Sequence, residues 1–184
     1  MRYREYSSPD DVETRLYLEH PTRPGVYLPI HRRPMRLPNT DYRSPDCLCF
    51  VTFNIHPRCS VTLTGKVAEV AWQTFWQVVK KIGCRVYAIC MMPDHIHLLV
   101  APSGQGESIS DIVKAIKGNI CAALRRVCGL HLRWQPSFYD HILRPSERYA
   151  DEFAAIVHYI FVNPERAGLG EEYPFRFRGG VGGV

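Results

Sequence analysis

The apolar residues of this chain follow two periods, and the changes between them mark out its elements. Cys47 to His56, CLCFVTFNIH, is dense in β-forming residues and predicts a first strand. From Val67 to Ile82 the period becomes helical, with Val67, Val70, Ala71, Thr74, Phe75, Val78, Val79 and Ile82 on one stripe. Gly83 then ends the helix as a left-handed cap. Arg85–Met91 and His95–Ala101 read as two further strands, and the Met92-Pro93-Asp94 between them suits a tight turn, so a hairpin is expected. Helical spacing returns in Ile109, Ile112, Val113, Ile116, Ile120, Leu124 and Val127, with Ser108 or Ser110 as cap. Phe138–Leu143 predicts a fourth strand. A third helix opens at Pro145-Ser146-Glu147 and ends at Asn163-Pro164, because proline cannot continue a helix.

The order strand, helix, strand, strand, helix, strand, helix predicts an α+β fold: a ferredoxin-like antiparallel sheet of four or more strands with helices on one face. Residues 1–45 stand apart. They are rich in Arg and Pro, as in Arg32-Arg33-Pro34-Met35-Arg36, and show no clear apolar period. They read as an arm without regular pairing, either solvated or in contact with a polyanion. Residues 46–175 are the expected domain and 176–184 a Gly-rich tail.

Composition adds limits. With 46% hydrophobic and 22% charged residues the chain is of the globular class, and its 184 residues suit one domain with tails. A net charge of +5 favours a polyanionic partner but decides little alone. The seven cysteines are odd in number and lack C-x-x-C spacing, which predicts reduced thiols in a cytoplasm. No apolar run reaches the roughly 18–20 residues of a membrane helix, so no membrane partner is expected.

Candidate chemistry gathers at two places. In His95-Ile96-His97 the imidazoles lie two apart on a strand, so both face one side while Ile96 faces the other. Two neighbouring imidazoles can hold a divalent ion, although a lone H-x-H is more often a structural or surface feature. On the third helix, Tyr159 and Asn163 lie four apart and share a face. A tyrosine hydroxyl, with an ordinary pKa of ~10, needs a nearby cation to act as a nucleophile. The plainer account makes Tyr159 a half-buried aromatic and Asn163 a helix-terminal residue.

Three ordered strings shift that balance. The segment Tyr87-Ala88-Ile89-Cys90-Met91-Met92-Pro93-Asp94-His95-Ile96-His97-Leu98-Leu99 resembles the HUH segment of single-tyrosine transposases. The segments WQPSFYDH (134–141) and YIFVNPERAGL (159–169) resemble the branch called REP-associated tyrosine transposases. Val51–Ile55 is similar to their first strand and Ile116-Lys117-Gly118 to the start of a helix segment, so the likeness spans about residues 47–175. The first 45 residues and the end beyond Leu169 depart from the pattern.

The resemblance implies a ferredoxin-like fold with the HUH motif on a central strand. It implies Tyr159 as the nucleophile, and His95, His97 and Asn163 as ligands of Mg2+ or Mn2+. The implied activity is metal-dependent cleavage and joining of single-stranded DNA beside hairpins, through a 5′-phosphotyrosine. The implied setting is the nucleoid of a prokaryotic cytoplasm. Either one chain supplies the whole site, or a homodimer exchanges the tyrosine helix.

For DNA contacts the basic Lys114, Lys117, Arg125 and Arg126 suit phosphates, although such charges also mark a solvated face, and Trp134 suits stacking on a base. His141 is either a supporting or DNA-contacting group or a satisfied core histidine. Tyr139 and Tyr149 rival Tyr159 by residue type, but neither has Asn or Gln four residues later. A histidine-triad hydrolase would need a third alternate His where Leu99 stands, and an RNA-binding sheet would need aromatics that are not in pattern here. A domesticated, catalytically inactive binder of single-stranded or hairpin DNA remains an alternative.

Overall fold

A computed structural model describes residues 4–6, 15–19, 27–30, 40–143 and 150–179. The chain divides into two compact units, residues 1–38 and 39–184.

The first unit holds three strands, β1 (Arg4–Tyr6), β2 (Arg15–Glu19) and β3 (Tyr27–Ile30), paired antiparallel in that order. This corrects the expectation of an unpaired arm reaching residue 45. Short β-forming clusters such as Leu16-Tyr17-Leu18 suffice for pairing, and Pro29 falls on the edge strand β3, where a missing donor is tolerated.

The second unit is built on an antiparallel sheet of five strands among the described residues. They are β4 (Cys49–Asn54), β5 (Arg85–Met91), β6 (His95–Ala101), β7 (Tyr139–Ile142) and β8 (Arg176–Arg178), in the order β7-β4-β6-β5-β8. The expected hairpin is β5–β6, and β6 takes the centre. Cys49, Val51 and Phe53 are buried on one side of β4 and Phe50 on the other, as a strand covered on both faces requires. Strand β8 was not foreseen. It occupies residues assigned to the tail, and three residues, Arg-Phe-Arg, carry no legible period.

Helices α1 (Gly65–Ile82) and α2 (Ile109–Cys128) pack together on one face. Gly83 closes α1 at φ 77°, donating its N–H to Val79 O. Ser108 rather than Ser110 opens α2 in a reciprocal capping box: its hydroxyl accepts from Asp111 N, and the Asp111 carboxylate accepts from Ser108 N. The α2 stripe is buried from Ile109 to Leu124, but Val127, expected on the same stripe, is 52% exposed.

Helix α3 (Ala150–Phe161) covers the other face. Its Ile160 is fully buried with Leu48, Phe50, Ala88, Cys90, Leu99 and Leu143, and Phe153, Ile156, Val157 and Tyr159 pack on that cluster. Helices thus lie on both faces, which corrects the one-face arrangement while keeping the α+β class. The helix also stops sooner than expected: Val162 turns, and a four-residue helix α4 (Asn163–Arg166) follows with Pro164 at its start. The Pro145-Ser146-Glu147 opening lies outside the described residues. No described helix is long and apolar enough to cross a membrane.

Candidate active site

Strand alternation decides which side chains meet. Facing residues on the α3 side form one row across all five strands: Tyr139, Thr52, His97, Cys90 and Arg176. His95 lies two residues along β6 on the same side, opposite Asn54. Ile96 and Leu98, of opposite parity, are fully buried towards α1 and α2.

The two imidazoles converge. His95 Nε2 and His97 Nε2 are 3.0 Å apart. Each ring is held from behind: His95 Nδ1 donates to Asp94 Oδ1 at 2.6 Å, and His97 Nδ1 lies 2.8 Å from Thr52 Oγ1. A carboxylate can only accept, so in the neutral ring of His95 the proton sits on Nδ1 and Nε2 presents its lone pair. His97 is buried, and burial with the neighbouring His95 holds its pKa well below 6.5, keeping it in the uncharged form a metal needs.

The pair fits a divalent ion. Two donors ~2.1 Å from one octahedral ion and ~90° apart stand ~3.0 Å from each other, which matches the observed separation. Among the described residues no group of three or more His, Cys, Asp or Glu side chains gathers to hold a metal. Asn163 is half-buried and begins α4, where its carbonyl accepts from Ala167 N. It is four residues beyond Tyr159, with the turn at Val162 lying between α3 and α4.

Tyr159 is brought to the histidines. Its ring centroid lies 5.6 Å from that of His97 and 6.0 Å, edge-on, from that of Phe50. Phe50 in turn stacks against His97 at 5.7 Å. The Arg166 guanidinium stands 5.7 Å from the Tyr159 ring centre. Tyr139 reaches the same cluster from β7, with its ring 6.4 Å from that of Phe50. Burial, then the nearby Asp140, push its phenol pKa well up, so ionising it costs more. Tyr149 lies outside the described residues.

The residues expected to contact DNA divide. Lys117 Nζ donates to Gln135 O at 3.0 Å and Ser137 O at 3.2 Å, and lies over the Phe53 and Phe138 rings. It clamps the segment entering β7 onto α2. Trp134 is half-buried, donates Nε1–H to Lys117 O at 3.2 Å and packs edge-on against Phe53 at 5.2 Å. It is part of the same clamp, not an exposed platform. Lys114, Arg125 and Arg126 are exposed on α2, which covers the Phe53 face, so the sheet separates them from the imidazoles. His141 is exposed and faces Phe50 on the imidazole side.

Asp94, Thr52, Phe50 and Arg166 had drawn no role from sequence. Asp94 carried a signal, standing next to His95 in the turn. Thr52 did not, because cross-strand register is invisible along one chain.

The family model described as "Transposase IS200 like" matches residues 48–162, a span holding both histidines and Tyr159. The chain belongs to this family. Its members are transposases, enzymes that act on DNA. This IS200-like transposase is 28% identical over 120 residues to a REP-associated tyrosine transposase of Escherichia coli K12, covering 65% of this chain and 67% of the relative. It is 37% identical over 65 residues to the ISDra2 transposase TnpA of Deinococcus radiodurans, covering 35% and 44%. A solved REP-associated tyrosine transposase bound to a REP hairpin shares the fold at TM-score 0.59 and 22% identity, over 77% of this chain and 82% of that one.

Proposed function

We propose that this transposase is a metal-dependent endonuclease and strand transferase for single-stranded DNA bearing hairpins, with Tyr159 as nucleophile. The observation that carries the reading is the 5.6 Å approach of the Tyr159 ring to His97, whose Nε2 converges with that of His95. A relative with this fold, bound to a REP hairpin, supports hairpin DNA as the substrate class.

Mg2+ or Mn2+, held by His95 and His97 with Asn163 as third ligand, would supply positive charge to the scissile phosphate. Because imidazoles are softer than Mg2+ prefers, Mn2+ is the better choice in vitro. Asp94 and Thr52 keep the two Nε2 atoms aimed at one point. Phe50 packs against both His97 and Tyr159 and fixes the phenol beside the pair. Tyr159 Oη attacks phosphorus, forming the Tyr–O–P bond as the P–O3′ bond breaks. The phenolic proton passes to solvent, and the departing 3′-oxygen takes one up to become a free 3′-OH. A second 3′-OH reverses these steps, so bond energy is conserved without ATP. Holding nucleophile and phosphate in line is the protein's main contribution.

End-labelled single-stranded oligonucleotides with diverse hairpins, mixed with the protein and Mn2+, test the reading. The expected product is an SDS-stable protein–DNA adduct that needs metal and is absent in Tyr159→Phe, His95→Ala and His97→Ala. An adduct persisting in Tyr159→Phe moves the nucleophile to Tyr139 or Tyr149. Tight binding with no adduct makes the chain a binder of hairpins and not a nuclease.

A further inference from the structure

We propose that Asn54 and Gln135 read an unpaired nucleobase of the single strand beside the scissile phosphate, which makes the face next to His95 the sequence-selecting surface of the site. The proposal rests on the proposed function in one respect, that a phosphate of the strand lies at the histidine pair. Cross-strand register leads to it. Asn54 faces His95. On its other side a bridge joins Ile55 to Trp134, with Gln135 N donating to Asn54 O at 2.9 Å and His56 N to Arg133 O at 2.8 Å. Gln135 thus faces Asn54, and Arg133 faces His56. Trp134 packs on Phe53 and Leu132 is buried, so Gln135 and Arg133, of the other parity, turn to the imidazole side. His95, Asn54 and Gln135 form one row across three neighbouring segments, spaced about 5 Å apart.

Among the described residues, this is where the imidazole side lies open. Further back along β4, Phe50 is buried with Ile160 and Tyr159 of α3, and Thr52 is engaged with His97. Asn54 is exposed and Gln135 half-buried, and neither carboxamide has a hydrogen bond among the described residues. A strand that reaches the histidine pair clear of α3 lies across them. A carboxamide carries a donor and an acceptor side by side, and so matches a base edge that offers the reverse pair, as Asn or Gln does with adenine N6 and N7. An unstacked base in a single strand presents such an edge. Arg133 is exposed one level further on, where it suits the next phosphate whatever the sequence.

The two carboxamides are mounted on fixed backbone. Asn54 ends β4, paired on both sides. Behind Gln135, α2 holds the segment at several points: Trp134 Nε1 donates to Lys117 O at 3.2 Å, Lys117 Nζ to Gln135 O at 3.0 Å, and Cys121 Sγ to Leu132 O at 3.3 Å. These contacts commit main-chain atoms and the Trp134 and Lys117 side chains, and leave the Gln135 carboxamide outside the clamp. Base reading needs that combination, because a carboxamide that wanders with its backbone gives up its discrimination.

The test uses hairpin oligonucleotides with each of the four bases placed in turn at every unpaired position beside the stem. With Mn2+ present, affinity is measured in Tyr159→Phe and adduct rate with Tyr159 intact, each alone and combined with Asn54→Ala, Gln135→Ala or Arg133→Ala. One unpaired position is expected to favour one base by ~10-fold or more, and Asn54→Ala and Gln135→Ala should each shrink that preference to a few-fold by weakening the favoured sequence. Arg133→Ala should weaken all sequences alike, and Mn2+ affinity without DNA should stay unchanged in all three. Should Gln135→Ala fail to fold, Gln135→Glu keeps the shape, loses the donor, and should move the preference towards cytosine, whose N4 donates. A preference kept in full overturns the proposal. So does equal weakening on every base, or indifference to base in the unaltered protein. Loss of Mn2+ affinity in Asn54→Ala also overturns it, by making Asn54 a metal ligand. A preference in affinity that the variants lose, without any adduct, removes the nuclease reading and keeps this one; an adduct without base preference does the reverse.

Discussion

His95 Nε2 and His97 Nε2 face each other at 3.0 Å, and the far nitrogen of each ring is held by a different kind of partner, a carboxylate and a hydroxyl. Two lone pairs so placed repel unless a proton or a cation lies between them. The supports are therefore expected to matter for metal binding before any chemistry. Asp94→Asn and Thr52→Val should each weaken Mn2+ binding by about 10–100-fold, read by titration calorimetry without DNA. Unchanged affinity in both would mean that the hydrogen bonds behind the rings do not orient them.

Lys117 offers a contrast, as a basic residue turned inward. Lys117→Met should lower unfolding free energy by about 1–3 kcal/mol, since it removes two hydrogen bonds from a charged donor. The dependence of DNA affinity on salt should stay as it was. A shallower salt dependence would instead count the ammonium among the phosphate contacts.

Asp140 should make stability fall with pH. Burial raises its pKa from 3.8 to about 6. An acid whose folded pKa exceeds its unfolded value binds more protons when folded, so it favours the fold below pH 3.8 and loses that effect as pH rises through about 6. Asp140→Asn should therefore stabilise the protein at pH 8 relative to pH 4. A gain of about 1–2 kcal/mol is expected after allowing for screening of a half-exposed group. Urea unfolding at the two pH values measures it, and an equal effect at both would contradict the assignment.

Arg176 joins β8 to the end of α3 and to α4. Arg176→Ala should loosen the helix that carries Tyr159 while leaving the histidine pair intact. Adduct formation should fall tenfold or more, on the order of the cost of misplaced reacting groups, with Mn2+ affinity unchanged. Parallel losses in both quantities would show that the whole sheet had been disturbed.

Sequence period found β4, α1, β5, β6, α2 and β7 because each repeats long enough for its buried face to show. It missed β8, whose three residues cannot display a period, and the paired strands of the first unit, hidden by Arg and Pro. His95 and His97 were legible because a strand's alternation puts them on one side whatever they pack against. The placement of Lys117 and Trp134 was not, since the same stripe on α2 is compatible with either face of the sheet, and only tertiary packing decides where its basic residues look. Arg166 stands seven residues after Tyr159, at helical spacing, but nothing along the chain sets it apart from the other basic residues.

The alternation along β6 has one more consequence. A slip of a single residue in its pairing would drive both imidazoles into the packing against α1 and α2 and turn Ile96 and Leu98 outward. A chain folded that wrongly would have no paired imidazoles to present. The histidine pair is in this way withheld from misassembled copies, and the same apolar residues that make the molecule stable act as the inspection it must pass before the pair can form.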